Sequence, residues 1–432
     1  MNRLQNEMTL LIADATSGDL YPLYKETNKR YIEVPSTLIF LRDNKHFLLN
    51  SDQNGFNNIY LHDLSGRPAS NITECQCDIT DFYGIDEEKG ELFYQAAAIT
   101  PMEREIYSVK LNGSDKKMLT KQNGSNSAEF SSTLDYFVLE NSTINRAPTY
   151  VVCKRNGEKI RDLETNTKIE KIQKEKDVAE VSFFSFNTAD QTTLNGWMMK
   201  PKKLKKKKKY PVLMYVYGGP GSQQVLNRWK GPDYWWFQML VQKGYIVACV
   251  DNRGTGARGE EFQKVTYKQL GKYETADQIE AAKYLGNLPQ VDPARIGIFG
   301  WSYGGFMATS CLFKGDGVFK SAIAVAPVTN WKWYDNIYTE RYMQTDKENA
   351  AGYEENSPVN FADRMTGNLL LIHGTADDNV HFQHSVELCN ALIKANKQYE
   401  TYFYPNQNHS IRGGNARLHL YTKMTNFLLE KI

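Results

Sequence analysis

The sequence predicts a doubly wound, mostly parallel α/β sheet preceded by an incomplete all-β propeller. Before about residue 170, short strands and turns repeat with a period typical of four-stranded blades. After Glu180 the pattern changes to apolar strands alternating with helical stretches. A third observation, a serine set among glycines between one such strand and one such helix, gives the second part its chemistry. A chain of 432 residues exceeds what one ordinary core organises, and the two patterns divide it into residues 1–180 and 181–432.

The repeat is visible residue by residue. Ile59-Tyr60-Leu61-His62-Asp63-Leu64-Ser65-Gly66 is echoed by Ile106-Tyr107-Ser108-Val109-Lys110-Leu111-Asn112-Gly113, and Tyr150-Val151-Val152-Cys153-Lys154-Arg155-Asn156-Gly157 is a third copy. A weaker copy ends at Gly18, so the turn glycines recur every 44 to 48 residues. Each repeat also carries an earlier strand pair, such as Phe47-Leu48-Leu49-Asn50 or Leu92-Phe93-Tyr94-Gln95, which makes three to four blades. Propellers close with roughly 4 to 8 blades, and an open one exposes strand edges. The beginning of the propeller is therefore expected to be missing.

In the second part, strands are expected over residues 194–199, 211–217, 245–251, 295–299, 321–326, 369–373 and 400–404. Helices are expected over 274–288, 306–312, 385–395 and 418–429.

Composition narrows the function. Lysine and arginine number 52 against 50 acidic residues, so nothing in the bulk charge asks for nucleic acid or an acidic membrane. The lysine run between Lys202 and Lys209 lies between two strand-like segments and reads as a solvated loop. Aromatic content of 12%, with 26 tyrosines, suits β-rich structure and pockets that pair an apolar face with a hydroxyl. No apolar run approaches the roughly 20 residues of a membrane span, and the N-terminus lacks a signal-peptide pattern, so as written the chain would stay in the cytoplasm. The six cysteines match neither zinc-ligand spacing nor a dense disulfide framework, though isolated disulfides stay open. No metal and no cofactor is expected.

The chemistry centres on Gly300-Trp301-Ser302-Tyr303-Gly304-Gly305. It follows the strand Ile296-Gly297-Ile298-Phe299 and precedes a helical stretch, the strand–turn–helix setting in which small neighbours let an α/β-hydrolase expose a nucleophilic serine. A hydroxyl needs a general base, and the base needs an orienting carboxylate, in the chain order serine, acid, histidine. The loop after Leu369-Leu370-Leu371-Ile372 offers Asp377 and Asp378, and His409 stands in the loop after the last strand. His373, His381 and His384 read as structural. For the oxyanion, the N–H of Tyr303 is one donor. The phenol of Tyr217, beside Gly218-Gly219-Pro220-Gly221, is placed to be the second; on spacing alone it could equally be a core tyrosine.

The segments Val216-Tyr217-Gly218-Gly219-Pro220, Asp251-Asn252-Arg253-Gly254, Gly300 to Gly305, Tyr338-Thr339-Glu340-Arg341-Tyr342-Met343 and residues 373–382 resemble the prolyl oligopeptidase family, within it the dipeptidyl peptidase IV branch. The resemblance covers the whole second part, and the repeats before it resemble the later blades of that family's eight-bladed propeller. It implies that Asp377 rather than Asp378 is the triad acid, with Ser302 and His409, and that Tyr217 and the Tyr303 amide form the oxyanion hole. It also implies that Val328, Trp331, Tyr334, Tyr338 and Val380 wall the pocket for the residue before the cleaved bond, and that Asn379 binds the carbonyl of the substrate's first residue. A shallow aromatic box suits the flat pyrrolidine ring, which has no N–H to satisfy.

The implied activity is a serine peptidase that releases N-terminal dipeptides after proline or, more weakly, alanine. Its partners would be such peptides and, by resemblance, a second copy of the chain in a homodimer. The family's amine-binding glutamates and an arginine lie in the earlier half of its propeller, and residues 1–170 match none of those motifs. A related prolyl tripeptidyl or acylaminoacyl peptidase, or an inactive fragment or non-catalytic binding protein with this fold, is the alternative. Family resemblance places the full-length form in the periplasm or outside the cell.

Overall fold

The computed structural model describes all 432 residues, and their contacts separate into two units. Met1–Val178, Leu226–Gly231 and Gly256–Lys264 form one; Ala179–Val225, Pro232–Thr255 and Val265–Ile432 form the other.

In the first unit, alternation of apolar and polar residues produces antiparallel meanders. Three four-stranded sheets follow in order: Leu38–Phe40 to Ser70–Asn71, Ile79–Asp86 to Lys117–Met118, and Ser125–Phe130 to Lys159–Glu164. A two-stranded hairpin, Glu7–Ala13 with Leu20–Thr27, precedes them. This is the blade pattern of an incomplete propeller. Its cores form between successive sheets: Leu48, Ile59, Leu92, Tyr94 and Val109 join the first to the second, and Phe93, Ile106, Phe137 and Leu139 the second to the third. One disulfide joins Cys75 to Cys77, and the other four cysteines are free.

The later stretch Gly256–Lys264 is held in this unit by polar contacts. Lys264 is 1% exposed and pairs with Asp52 at 2.5 Å and Glu260 at 3.3 Å. Arg30 grips Glu261 with two parallel hydrogen bonds of 2.9 and 2.8 Å.

The second unit is one eight-stranded sheet. Its strands are β1 (Val181–Asn187), β2 (Thr193–Met199), β3 (Tyr210–Val216), β4 (Ile246–Asp251), β5 (Val291–Trp301), β6 (Ser321–Val325), β7 (Asn368–Gly374) and β8 (Glu400–Tyr404). They are ordered β1-β2-β4-β3-β5-β6-β7-β8, antiparallel at β1-β2-β4 and parallel from there on. Central strands are buried on both faces, as parallel sheets covered by helices require: Val212 to Met214, Ala322 to Val325 and Leu369 to Ile372 are at most 1% exposed.

The register brings the carboxyl ends of these strands level. Val216 lies opposite Gly300, Trp301 opposite Val325, Val325 opposite Ile372, and Gly374 opposite Tyr404. Loops leaving that edge therefore converge, which is where an open α/β sheet places its ligands. The helix expected from residue 306 begins at Tyr303, directly after the serine, and runs to Lys314 with Tyr303 to Phe313 buried. No helix is long and apolar enough to cross a membrane.

The turn glycines of the repeat all have positive φ: +79° at Gly18, +81° at Gly66, +80° at Gly113 and +85° at Gly157. A Cβ at Gly66 would meet nothing within 4 Å, but one at Gly157 would sit 2.2 Å from the Leu119 carbonyl oxygen. Gly66→Ala should therefore cost only the backbone term of roughly 1–2 kcal/mol, and Gly157→Ala clearly more, read from urea midpoints. Equal midpoints for the two variants would show that the Leu119 contact does not govern the turn.

Candidate active site

Ser302 sits at the tip of β5 with φ 61° and ψ −119°, a conformation that side-chain-bearing residues rarely adopt. Its own N–H donates to the Val325 carbonyl at 2.8 Å, and its carbonyl accepts from the Phe306 N–H at 3.0 Å. The turn is this sharp because glycines stand two residues before and two after the serine. A Cβ at Gly300 would come 2.1 Å from the Gly304 carbonyl oxygen, and one at Gly304 would come 2.2 Å from that of Val216.

The expected acid stands after β7. Asp377 is buried, and its Oδ1 accepts from the N–H groups of Asn379 and Val380, both at 3.0 Å. Its Oδ2 lies 2.8 Å from His409 Nδ1 and 3.2 Å from His373 Nε2. Burial pushes this carboxyl up, but hydrogen bonds from His373 and His409, with the backbone, outweigh it and hold it well below the usual carboxylate range. Because Asp377 can only accept, His409 carries its hydrogen on Nδ1, and Nε2 is left as the basic nitrogen.

His409 is fixed from the other side as well. Its carbonyl accepts from the indole N–H of Trp301, the residue before the serine, at 3.0 Å. The loop carrying it is joined to the acid loop by Ala376 N–H to the Gln407 carbonyl at 3.0 Å.

Beside Ser302 lies a small cavity of about 30 Å³, lined by Tyr217, Ser302, Tyr303, Val328, Trp331, Tyr334 and Tyr338. Its rings brace one another: Tyr217 and Tyr303 at 6.1 Å between centroids, Tyr303 and Trp331 at 5.6 Å, Tyr334 and Tyr338 edge to face at 5.3 Å. Asn379 and Val380 do not line it. Asn379 reaches it through the Tyr334 hydroxyl, which donates to Asn379 Oδ1 at 2.9 Å, while Val380 is fully buried in the acid loop. Asp378 makes none of the contacts that hold His409.

Comparison with known proteins follows the same two-part division. A profile of the prolyl oligopeptidase family matches residues 232–432, and one of the dipeptidyl peptidase IV N-terminal region matches residues 1–148. The crystal structure of Porphyromonas gingivalis dipeptidyl peptidase 4 superposes on all of this chain with a TM-score of 0.96 and 41% identity. The chain belongs to the prolyl oligopeptidase family, in its dipeptidyl peptidase IV-like branch. Curated relatives include the "Probable dipeptidyl peptidase 4" of Emericella nidulans, 30% identical over 449 residues that take in 100% of this chain. The "Probable dipeptidyl-aminopeptidase B" of Uncinocarpus reesii is 37% identical over 388 residues, 87% of this chain. The chain spans 61% of the P. gingivalis chain, 58% of the Emericella relative and 42% of the Uncinocarpus one.

Two features of this prolyl oligopeptidase-type site escape sequence inspection. His373 is no mere strand end: its Nε2 faces the Val380 carbonyl at 2.8 Å as well as Asp377, so it must carry a hydrogen there, and its Nδ1 meets the Ser385 hydroxyl at 2.7 Å. Glu274, on the helix Lys272–Gly286, is fully buried and accepts from the Tyr303 phenol at 2.8 Å. The signal was present in the sequence as acidic residues on the core-facing side of that helix, at 274 and 277 ahead of Ala281 and Leu285. A far larger groove of about 1010 Å³, between the helices Pro232–Gln242 and Ala416–Lys431, contains none of the expected site residues.

Burial pushes the Glu274 carboxyl up to about 7, only partly offset by the N–H groups at the start of its helix and by the Tyr303 phenol. The folded state thus holds this proton more tightly than the unfolded chain, whose glutamate titrates near ~4.3. Stability from this group is complete at low pH and is lost as pH rises through about 7. The melting temperature of Glu274→Gln relative to the native protein should therefore climb between about pH 4.5 and pH 7 and level off above. A difference independent of pH would show that Glu274 does not titrate in this window.

Proposed function

We propose that the chain carries the acyl-transfer centre of a serine peptidase that releases N-terminal dipeptides after proline or alanine, with Ser302 as nucleophile, His409 as base and Asp377 as its orienting acid. The observation that carries this is the Asp377–His409 pair at 2.8 Å, tied through Trp301 to a strained serine that opens on an aromatic cavity.

Chemically, His409 Nε2 takes the proton of Ser302 Oγ as the oxygen attacks the scissile carbonyl, and the imidazolium formed is stabilised by Asp377. The oxyanion is met by the N–H of Tyr303 and the phenol of Tyr217. His409 then returns the proton to the leaving amine, and water repeats the sequence on the acyl-enzyme. Burial raises the Tyr217 phenol above its ordinary value, which keeps it a neutral donor at physiological pH. Val328, Trp331, Tyr334 and Tyr338 offer the residue before the cleaved bond flat apolar walls, which suit a pyrrolidine ring, and Asn379 would hold the carbonyl of the first residue. The names of the relatives, dipeptidyl peptidases and dipeptidyl-aminopeptidases, support cleavage two residues from the amino terminus.

A fluorophosphonate probe should label the native chain at Ser302, located by peptide mass spectrometry, and Ser302→Ala should abolish labelling without a change in melting temperature. Labelling that survives this substitution would place the nucleophile elsewhere. Tyr217→Phe should slow the reaction on the order of a hundred- to a thousand-fold if the phenol is an oxyanion donor. A change of less than about threefold would make it a wall residue only.

A further inference from the structure

The helix Lys272–Gly286 turns Glu274, Asp277, Gln278, Ala281, Ala282 and Leu285 into its unit. Thr275 is buried there too, and its hydroxyl, like Gln278 Oε1, has no hydrogen bond. Asp277 accepts from the Arg253 guanidinium at 2.6 Å, and Gln278 donates to the Val250 carbonyl at 2.9 Å and to Asn252 at 3.0 Å. Glu274 has one side-chain partner, the Tyr303 phenol on its Oε1, while its Oε2 is buried with no hydrogen bond.

Burying a carboxyl whose one side-chain partner is a neutral hydroxyl is an expensive way to fill a core, and an apolar pair of the same shape would be cheaper. What the contact does accomplish is local. Tyr303 directly follows the serine, its ring lines the cavity with Ser302, and its ring also meets Tyr217, Phe306 and Trp331. The start of the same helix presses on the neighbouring turn: a Cβ at Gly271 would lie 2.4 Å from the Phe306 ring. The helix thus touches the segment after the serine at two points, Phe306 and the Tyr303 phenol.

We infer that Glu274 is a positioning residue, which holds the Tyr303 phenol and through it the ring that walls the cavity and the N–H beside Ser302. This rests on the assignment of Ser302 as nucleophile. Glu274 itself touches no reacting atom; it acts only through Tyr303, and that restriction makes it testable. Oxyanion donors lose much of their effect when displaced by fractions of an ångström.

The test is a double-mutant cycle on the second-order rate of fluorophosphonate labelling of the full chain, at a temperature well below every variant's melting point. Glu274→Leu and Tyr303→Phe should each slow labelling about tenfold, and the double variant should be no slower than either alone. Glu274→Gln keeps an oxygen acceptor and should stay within about threefold of the native rate. Losses that multiply in the double variant, or a native rate in Glu274→Leu, would overturn the inference. If Glu274→Leu does not fold, Tyr303→Phe decides: a native labelling rate there overturns it equally. Native protein that is not labelled at Ser302 at all would remove the nucleophile assignment and this inference with it, whereas a labelled native protein with an indifferent Glu274 removes the inference alone.

Discussion

The turn at Ser302 is the constraint on which the rest of the site depends. A side-chain-bearing residue at φ 61° costs on the order of 1–3 kcal/mol and persists only where its surroundings leave no alternative. Here the hydrogen bond from Ser302 N–H to Val325, the strand before it and the buried helix after it fix the turn from three sides. The absence of side chains at Gly300 and Gly304 is what lets those elements close in. Because Tyr303 is the next residue, the direction of its N–H and the place of its ring follow from the same turn. The proposed nucleophile, the proposed oxyanion donor and one cavity wall are therefore set by one local geometry.

The remaining groups reach that turn because the sheet register levels the ends of β3, β5, β6, β7 and β8. Tyr217, Ser302, Val328, Asp377 and His409 each lie within a few residues of a strand end. Electrostatics then separates their roles. Asp377 is held ionised by two imidazoles and two backbone N–H groups, while Glu274, on the far side of Tyr303, is pushed towards its neutral form by burial, with the nearby Asp277 charge adding to it. Two carboxylates of one unit are driven in opposite directions by the balance between burial and the donors and charges that face them.

Much of this was legible in the amino-acid sequence, for identifiable reasons. The serine turn could be read because its sterics admit almost no residue but glycine two positions to either side, and the central strands of the second unit because burial on both faces writes them as apolar runs. The blade repeat could be read because each turn needs a positive φ at the same place. Other features could not. The stretches Leu226–Gly231 and Gly256–Lys264 carry no periodicity, so nothing in them announced that they fold with the first unit. The contact of His373 with Asp377 depends on the chain turning back on the end of its own strand within four positions, which spacing alone does not reveal. Tyr217 stood undecided between core and site; the structure leaves it half-buried with its ring on the cavity.

In the proposed mechanism Asp377 orients His409 so that its free nitrogen can activate Ser302. Asp377→Asn tests it most directly, because an amide can still accept from the Asn379 and Val380 N–H groups while presenting a donor to His409 Nδ1, which inverts the tautomer without removing the fold. With melting temperature and circular dichroism unchanged, the rate of fluorophosphonate labelling at Ser302 should fall by about four orders of magnitude. Labelling within about threefold of the native rate in the folded variant would contradict the account.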